Sequence, residues 1–346
     1  MGVFIFMKKK FKIVYLIIGS ILLFASISVH ASIQSTHFTT TSSFIASLSH
    51  NGDIIYVNAS NTQGPWNGTI EYPYQNITSA LEHAQAGDTI YVFSGIYYEH
   101  LTVNKQINLQ GEHATTTILD GQHKKQIIRI TAPQVSIDSF TLQHCGYVFE
   151  DAAIYSRANE ISITNNIFIN NTKAILLWNS EFNEILYNTI TNSENGISLI
   201  NSNSNSIKQN TITYCTLAIS LDQSSTNDIH GNTITLNQNG ILITTNSHLN
   251  TIVSNTIANN QDTGIMIKQL LEKELYVSFN NFINNGNHAY FETSLWVIWN
   301  KNYWDNWFGI LEPNFDFLPK FIIGRLIGTI PWITIDLNPE SQPLPL

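Results

Sequence analysis

Residues 161–290 repeat themselves with a period close to 22, and that period leaves few folds open. The segments YNTITNSENGISL, QNTITYCTLAISL, GNTITLNQNGILI and SNTIANNQDTGIMI share one template. It runs Asn, any residue, apolar, a gap, then Gly or Ala, Ile, any residue, apolar. The template Asn falls at Asn166, Asn188, Asn210, Asn232 and Asn255. A second series runs through Asn183, Asn205, Asn227 and Asn250, each two residues before an Ile. A fixed period between about 20 and 50 residues marks a solenoid. β-Branched Ile and Thr with helix-poor Asn and Ser fill the unit, which argues against a helical repeat. Apolar pairs such as Ile197/Leu199 and Ile219/Leu221 alternate at the strand period. Each unit is therefore expected to be a coil of short strands, stacked on the next through parallel backbone hydrogen bonds. Inward Asn columns suit that geometry, because amides about 4.8 Å apart can bond along the stack and satisfy carbonyls at each bend. The expected fold is all-β, a single right-handed parallel β-helix.

The same residues carry a family resemblance. The N-x-I and G-I-x-L coils resemble the parallel β-helix repeat of the pectin-lyase-like superfamily. They are most similar to its NosD-like branch of periplasmic or secreted proteins. Residues 91–121 (YVFSGIYYEHLTVNKQINLQGEHATTTILDG) resemble the opening coils of that branch. NYWDNWFG (302–309) and the segment 319–339 resemble the tail of its secreted archaeal members. The resemblance implies the fold but not one function, since this scaffold hosts lyases, hydrolases, binding proteins and adhesins.

Residues 1–31 have the pattern of an export signal. Lys8, Lys9, Lys10 and Lys12 form a positive region, Ile13 to Ile27 an apolar core, and Val29-His30-Ala31 a small-residue cleavage site. The alternative is a permanent anchor, but the apolar run falls short of the roughly 20 residues a span needs. Met7 could equally be the start. Residues 32–52 then form a flexible leader, 53–292 the β-helix, and 293–346 a C-terminal cap and tail. No later stretch is expected to span a membrane. The chain is thus expected to be exported, to the extracellular space or cell surface.

Removing the signal takes away four lysines and no acids, moving the formal charge from −9 to −13. Such a balance argues against nucleic acid as a partner and, more softly, against strongly anionic glycans. Aligning 143–145 with 169–171 places Cys145 and Cys215 in one column, three coils apart. At strand spacing that is about 14 Å, beyond the roughly 7 Å limit for a disulfide, so both are expected to be lone thiols.

Thr78 to Ala86 is expected to be a short capping helix over the open end of the solenoid. Two insertions break the period, Gly146 to Asp151 (GYVFED) and Leu270 to Glu274 (LLEKE). Insertions in repeat proteins map to loops on one face. GYVFED supplies two aromatics and two acids, so Tyr147, Phe149, Glu150 and Asp151 are candidate ligand contacts; drift in a tolerant turn is the alternative for both insertions.

Outward columns offer one compact titratable cluster. Glu184, Ser206, Asp228 and Thr251 share a column, with Leu186, Lys208, His230 and Val253 beside it. Glu184 and Asp228 stand two coils apart, about 9.6 Å, at the upper edge of the separation expected of inverting glycosidase carboxylates. Glu184, Asp228, His230 and Lys208 are thus the runner-up catalytic set; ordinary decoration of a solvated sheet is the plainer reading. The lyase and hydrolase motifs of the superfamily are missing. The NosD-like branch is associated with copper, yet soft sites need thiolate, thioether or imidazole clusters. Past the signal there are one Met, two separated Cys and no His pair at ligand spacing; His230 and His248 are expected to face solvent. No metal or cofactor is expected. Paired Thr at 189/191, 211/213 and 233/235 resemble an ice-binding array, although Thr also simply suits exposed strands.

Five of the seven Trp lie at the C-terminal end: Trp296, Trp299, Trp304, Trp307 and Trp332. Aromatic faces stack on sugar rings, which makes Trp304 and Trp307 ligand candidates, although covering the last coil's core is the readier role. The combined expectation is an exported, non-catalytic binding or scaffold protein for a polysaccharide or glycoprotein, with a polysaccharide hydrolase or lyase as the alternative.

Overall fold

The computed structural model of the chain describes residues 52–269, 274–294, 296–307, 320–326, 330–336 and 338–345. The signal segment, the leader up to residue 51, insertion residues 270–273 and Phe308 lie outside the described residues. Three ladders of short strands stack into a single right-handed parallel β-helix. In one coil the strands are Lys173–Trp178, Glu184–Leu186 and Thr189–Thr191, and each pairs in parallel with the strand one coil on. We call the ladders containing 184–186, 173–178 and 189–191 the first, second and third walls.

Alternation decides what each wall buries. Ile185, Ile190, Ile197 and Leu199 point inward and are completely buried, and their equivalents repeat coil after coil into one continuous core. Outward neighbours such as Glu184 and Leu186 stay half-exposed.

The bends are fixed by Asn. Asn166, Asn188, Asn210, Asn232 and Asn255 are at most 1% exposed, as are Asn183, Asn205, Asn227 and Asn250. After the first Asn of each series, each side-chain oxygen accepts the backbone N–H of the Asn one coil earlier, at 2.8–3.0 Å. In the first series each amide nitrogen donates to a strand carbonyl, as Asn210 does to Ile185 O at 2.8 Å. The first series continues through Asn280 and Asn302. It ends on Asp336, whose Oδ2 accepts the backbone N–H and amide of Asn302 and the Trp304 indole. A carboxylate accepts without needing to donate, which suits a final rung. The residue before each ladder Asn adopts a left-handed conformation even when bulky, as at Tyr187 (φ 57°), Gln209 (φ 54°) and Phe279 (φ 57°). Such conformations are strained for bulky residues, so the ladder has to hold them.

A helix, α1 (Ile77–His83), lies against the first strands with Ile77, Ala80 and Ala84 buried. Asn76 Oδ1 accepts Ser79 N–H at its start, and Lys105 Nζ donates to three carbonyls at its end. At the other end parallel pairing runs on through Val297–Asn300 and Tyr303–Trp304, beyond the boundary expected at residue 292. An antiparallel pair, Lys320–Leu326 with Ile330–Asp336, follows.

Candidate functional site

The first wall brings the runner-up catalytic residues together in register. Glu184, Ser206 and Asp228 are consecutive pairing partners, as are Leu186, Lys208 and His230. The local chemistry is that of paired surface groups. Asp228 forms an ion pair with Lys208 at 2.8 Å and accepts from Thr251 Oγ1 at 2.9 Å. Ser206 stands between the two carboxylates, and all of these side chains sit on a regular outward face.

The second wall carries a different assembly. At residues 146–151 the chain makes its lengthened turn. A Cβ on Gly146 would lie 2.1 Å from Asp151 Oδ2 and 2.5 Å from Lys125 N, so the turn requires glycine there. Asp151 is 5% exposed and its Oδ2 accepts Val148 N–H. This corrects the expectation that Asp151 contacts a ligand: it is spent inside the turn. Glu150 pairs with Arg157 at 3.5 Å. Tyr147 and Phe149 are 69% and 59% exposed.

Phe149 meets Trp178 edge-on, with ring centroids 5.6 Å apart. The Arg157 guanidinium lies 4.5 Å over the Trp178 ring, and its Nε donates to Tyr155 OH at 2.5 Å. Arg129 covers the Tyr155 ring from the preceding coil at 5.8 Å, and Lys173 Nζ lies 5.4 Å over Phe149. Beneath them Ala152, Tyr155 and Leu176 form a small buried cluster outside the main core, flanked by Trp178 and Ile200. The result is a rigid aromatic and cationic platform on the outer face, at the lengthened turn.

Tyr147 closes one side. Its ring stacks on His123 (5.6 Å, 6°) and its hydroxyl bonds His123 Nδ1 at 2.8 Å. His123 in turn lies 4.6 Å from His144, whose Nδ1 contacts Asp120 Oδ2 at 3.2 Å. Sequence reading missed this His pair, which only stacking of neighbouring coils brings together.

Elsewhere, placements differ from expectation. Trp304 is 1% exposed and stacks on Phe282 at 4.3 Å and 7°. It belongs to the core at the end of the solenoid and cannot stack on a ligand. Trp307 is half-buried against the same core. His248, expected in solvent, is buried, and its backbone N–H bonds Ser225 Oγ at 3.0 Å. Cys145 and Cys215 are free and buried; burial pushes the Cys145 thiol up and the Cys215 thiol to about 11.

Among the described residues no helix is long and apolar enough to cross a membrane. A family model described as "Periplasmic copper-binding protein (NosD)" matches residues 39–308. No curated protein matches the chain. Of solved structures, XylC in complex with xylose shares 12% identity with a TM-score of 0.59, covering 72% of this chain and 68% of that one. A GH87 α-1,3-glucanase catalytic domain shares 14% identity with a TM-score of 0.48, over 75% and 48%. The first likeness shows a shared fold and no more. The copper in the family's description finds no fitting donor set among the described residues. No group of three or more His, Cys, Asp or Glu side chains there could hold a metal ion. The two thiols are free and buried. With a family model matching most of its length over a parallel β-helix built on Asn ladders, the chain belongs to the NosD family.

Proposed function

We propose that this chain is an exported, non-catalytic β-helix protein that binds carbohydrate on the second-wall platform. The observation that carries this reading is the Phe149–Trp178 pair, held rigid by Arg157 on the outer face and reachable from solvent. Aromatic rings of this kind offer a large apolar area to the C–H face of a sugar at little entropic cost. A protein of similar fold is described in complex with xylose, which supports a sugar as the ligand class. The periplasmic description of the family and the signal-like residues 1–31 support export. The absence of catalysis is supported by the first wall, where Lys208 and Thr251 already occupy the Asp228 carboxylate.

The test is a glycan array probed with the full chain and with Trp178→Ala and Phe149→Ala. Retention on a defined set of glycans, weakened about tenfold by either substitution with circular dichroism unchanged, is expected. Binding that neither substitution weakens would reject the platform.

A further inference from the structure

We infer that the ligand of this platform is anionic, a polysaccharide bearing carboxylate or sulfate groups. The inference rests on the carbohydrate reading above. The chain as a whole is acidic, with 16 Lys and Arg against 25 Asp and Glu. Yet Lys124, Lys125, Arg129, Arg157 and Lys173 gather on successive coils around one turn. The Lys125 carbonyl accepts Gly146 N–H at 2.8 Å, so the turn bearing Lys124 and Lys125 lies directly against residues 146–151. Arg129 pairs in register with Tyr155. The Lys173 carbonyl accepts Ala153 N–H at 2.8 Å, just past the same turn.

The acids nearby do not neutralise these cations. Asp151 is buried and bonded within the turn, and Glu150 is taken by Arg157. Among the described residues Lys124, Lys125, Arg129 and Lys173 have no carboxylate within ion-pair distance. On the first wall, by contrast, Lys208 is matched by Asp228. Gathering unmatched like charges within a Debye length, about 8–10 Å, is unfavourable in the free protein and favourable once an anion arrives. A sugar laid against the exposed Phe149 ring would find Lys173, whose Nζ lies 5.4 Å over that ring, ready for its carboxylate or sulfate, with Arg129 over Tyr155 on the preceding coil. Arg157, fixed by Trp178, Tyr155 and Glu150, serves as the buttress.

The test measures binding of the full chain to polygalacturonate and to dextran sulfate, which separate carboxylate from sulfate. Neutral xylan and dextran serve as the uncharged probes, and single-stranded DNA as a polyanion that is not a glycan. Tight binding of at least one anionic glycan is expected, with neutral glycans about tenfold weaker or more. Affinity should fall several-fold between about 50 and about 300 mM salt. Arg129→Gln/Lys173→Gln should lose about tenfold or more, and so, as an independent arm in an exposed turn, should Lys124→Gln/Lys125→Gln; Lys208→Gln should match the wild type. Neutral glycans bound equally well, with Trp178→Ala still abolishing binding, would overturn the anionic inference and leave the carbohydrate reading standing. Retention of no glycan at all would overturn both. Tighter binding of single-stranded DNA than of either anionic glycan would replace the sugar with a nucleic-acid partner.

Discussion

Replacing Asn210 by Leu tests what holds the coils in place. The side chain is 1% exposed. Its oxygen accepts Asn188 N–H at 2.9 Å and the Asn188 amide at 3.0 Å; its own amide donates to Ile185 O at 2.8 Å and to Asn232 Oδ1 at 3.0 Å. Leucine fills similar space but bonds to none of these. Asn188 Nδ2 still reaches Ile163 O, and Asn232 Oδ1 still accepts Asn210 N–H. Asn188 N–H loses its partner inside the core, while Ile185 O keeps only its ladder bond to the next strand. Each buried polar group left unsatisfied costs about 1–3 kcal/mol. Allowing for the apolar area leucine adds, Asn210→Leu should destabilise by about 2 kcal/mol. For a domain of this size that lowers the thermal midpoint by roughly 4–8 °C. Thermal circular dichroism measures it, with exposed Thr211→Ser as the control. Hydrogen exchange at Asn188 N–H should accelerate at the same time. An unmoved midpoint with protected Asn188 would mean that strand pairing alone sets the bends.

Two more predictions concern the end of the ladder and the turn. Asp336→Leu leaves three donors, two from Asn302 and the Trp304 indole, without their acceptor. It should cost at least about 3 kcal/mol and redden Trp fluorescence, and an unchanged melt and spectrum would refute a closing role. At Asp120, burial alone would raise the pKa, but hydrogen bonds from Gln122 N–H, the Gln143 amide and His144 outweigh it and hold the carboxyl below its ordinary range. A depressed folded pKa contributes stability that is complete above the unfolded value, about 3.9, and lost as pH falls through the folded value. The midpoint difference between wild type and Asp120→Asn should therefore close as pH drops below about 4; a gap independent of pH would refute the assignment.

The fold was legible because the ladder demands one residue type at one spacing, and Asn210 or Asn227 cannot be exchanged freely without orphaning buried groups. A third inward column was harder to see, since Cys145, Asn171, Ser193, Cys215 and Asn237 fill it with mixed side chains. The Ser column 180, 202, 224 and 247 was missed because Ser is also common in exposed turns. The platform was only half-visible. The insertion pointed to Phe149, but its partners Trp178, Arg157 and Lys173 lie on neighbouring strands whose register the broken period obscures. Charge counting is silent in the same place, because a total says nothing about which face bears the cations. Trp304 shows the converse: its burial follows from the Phe282 stack and the Asp336 acceptor, which no local pattern announces.

The central claim is binding without cleavage, and product analysis addresses it most directly. The full chain and Glu184→Gln/Asp228→Asn are incubated with the polysaccharides that the wild type retains, and reducing ends and unsaturated uronic products are measured. The account predicts equal retention by both proteins and no release by either. Release by the wild type that disappears in the double variant would contradict it and make the first wall an active site.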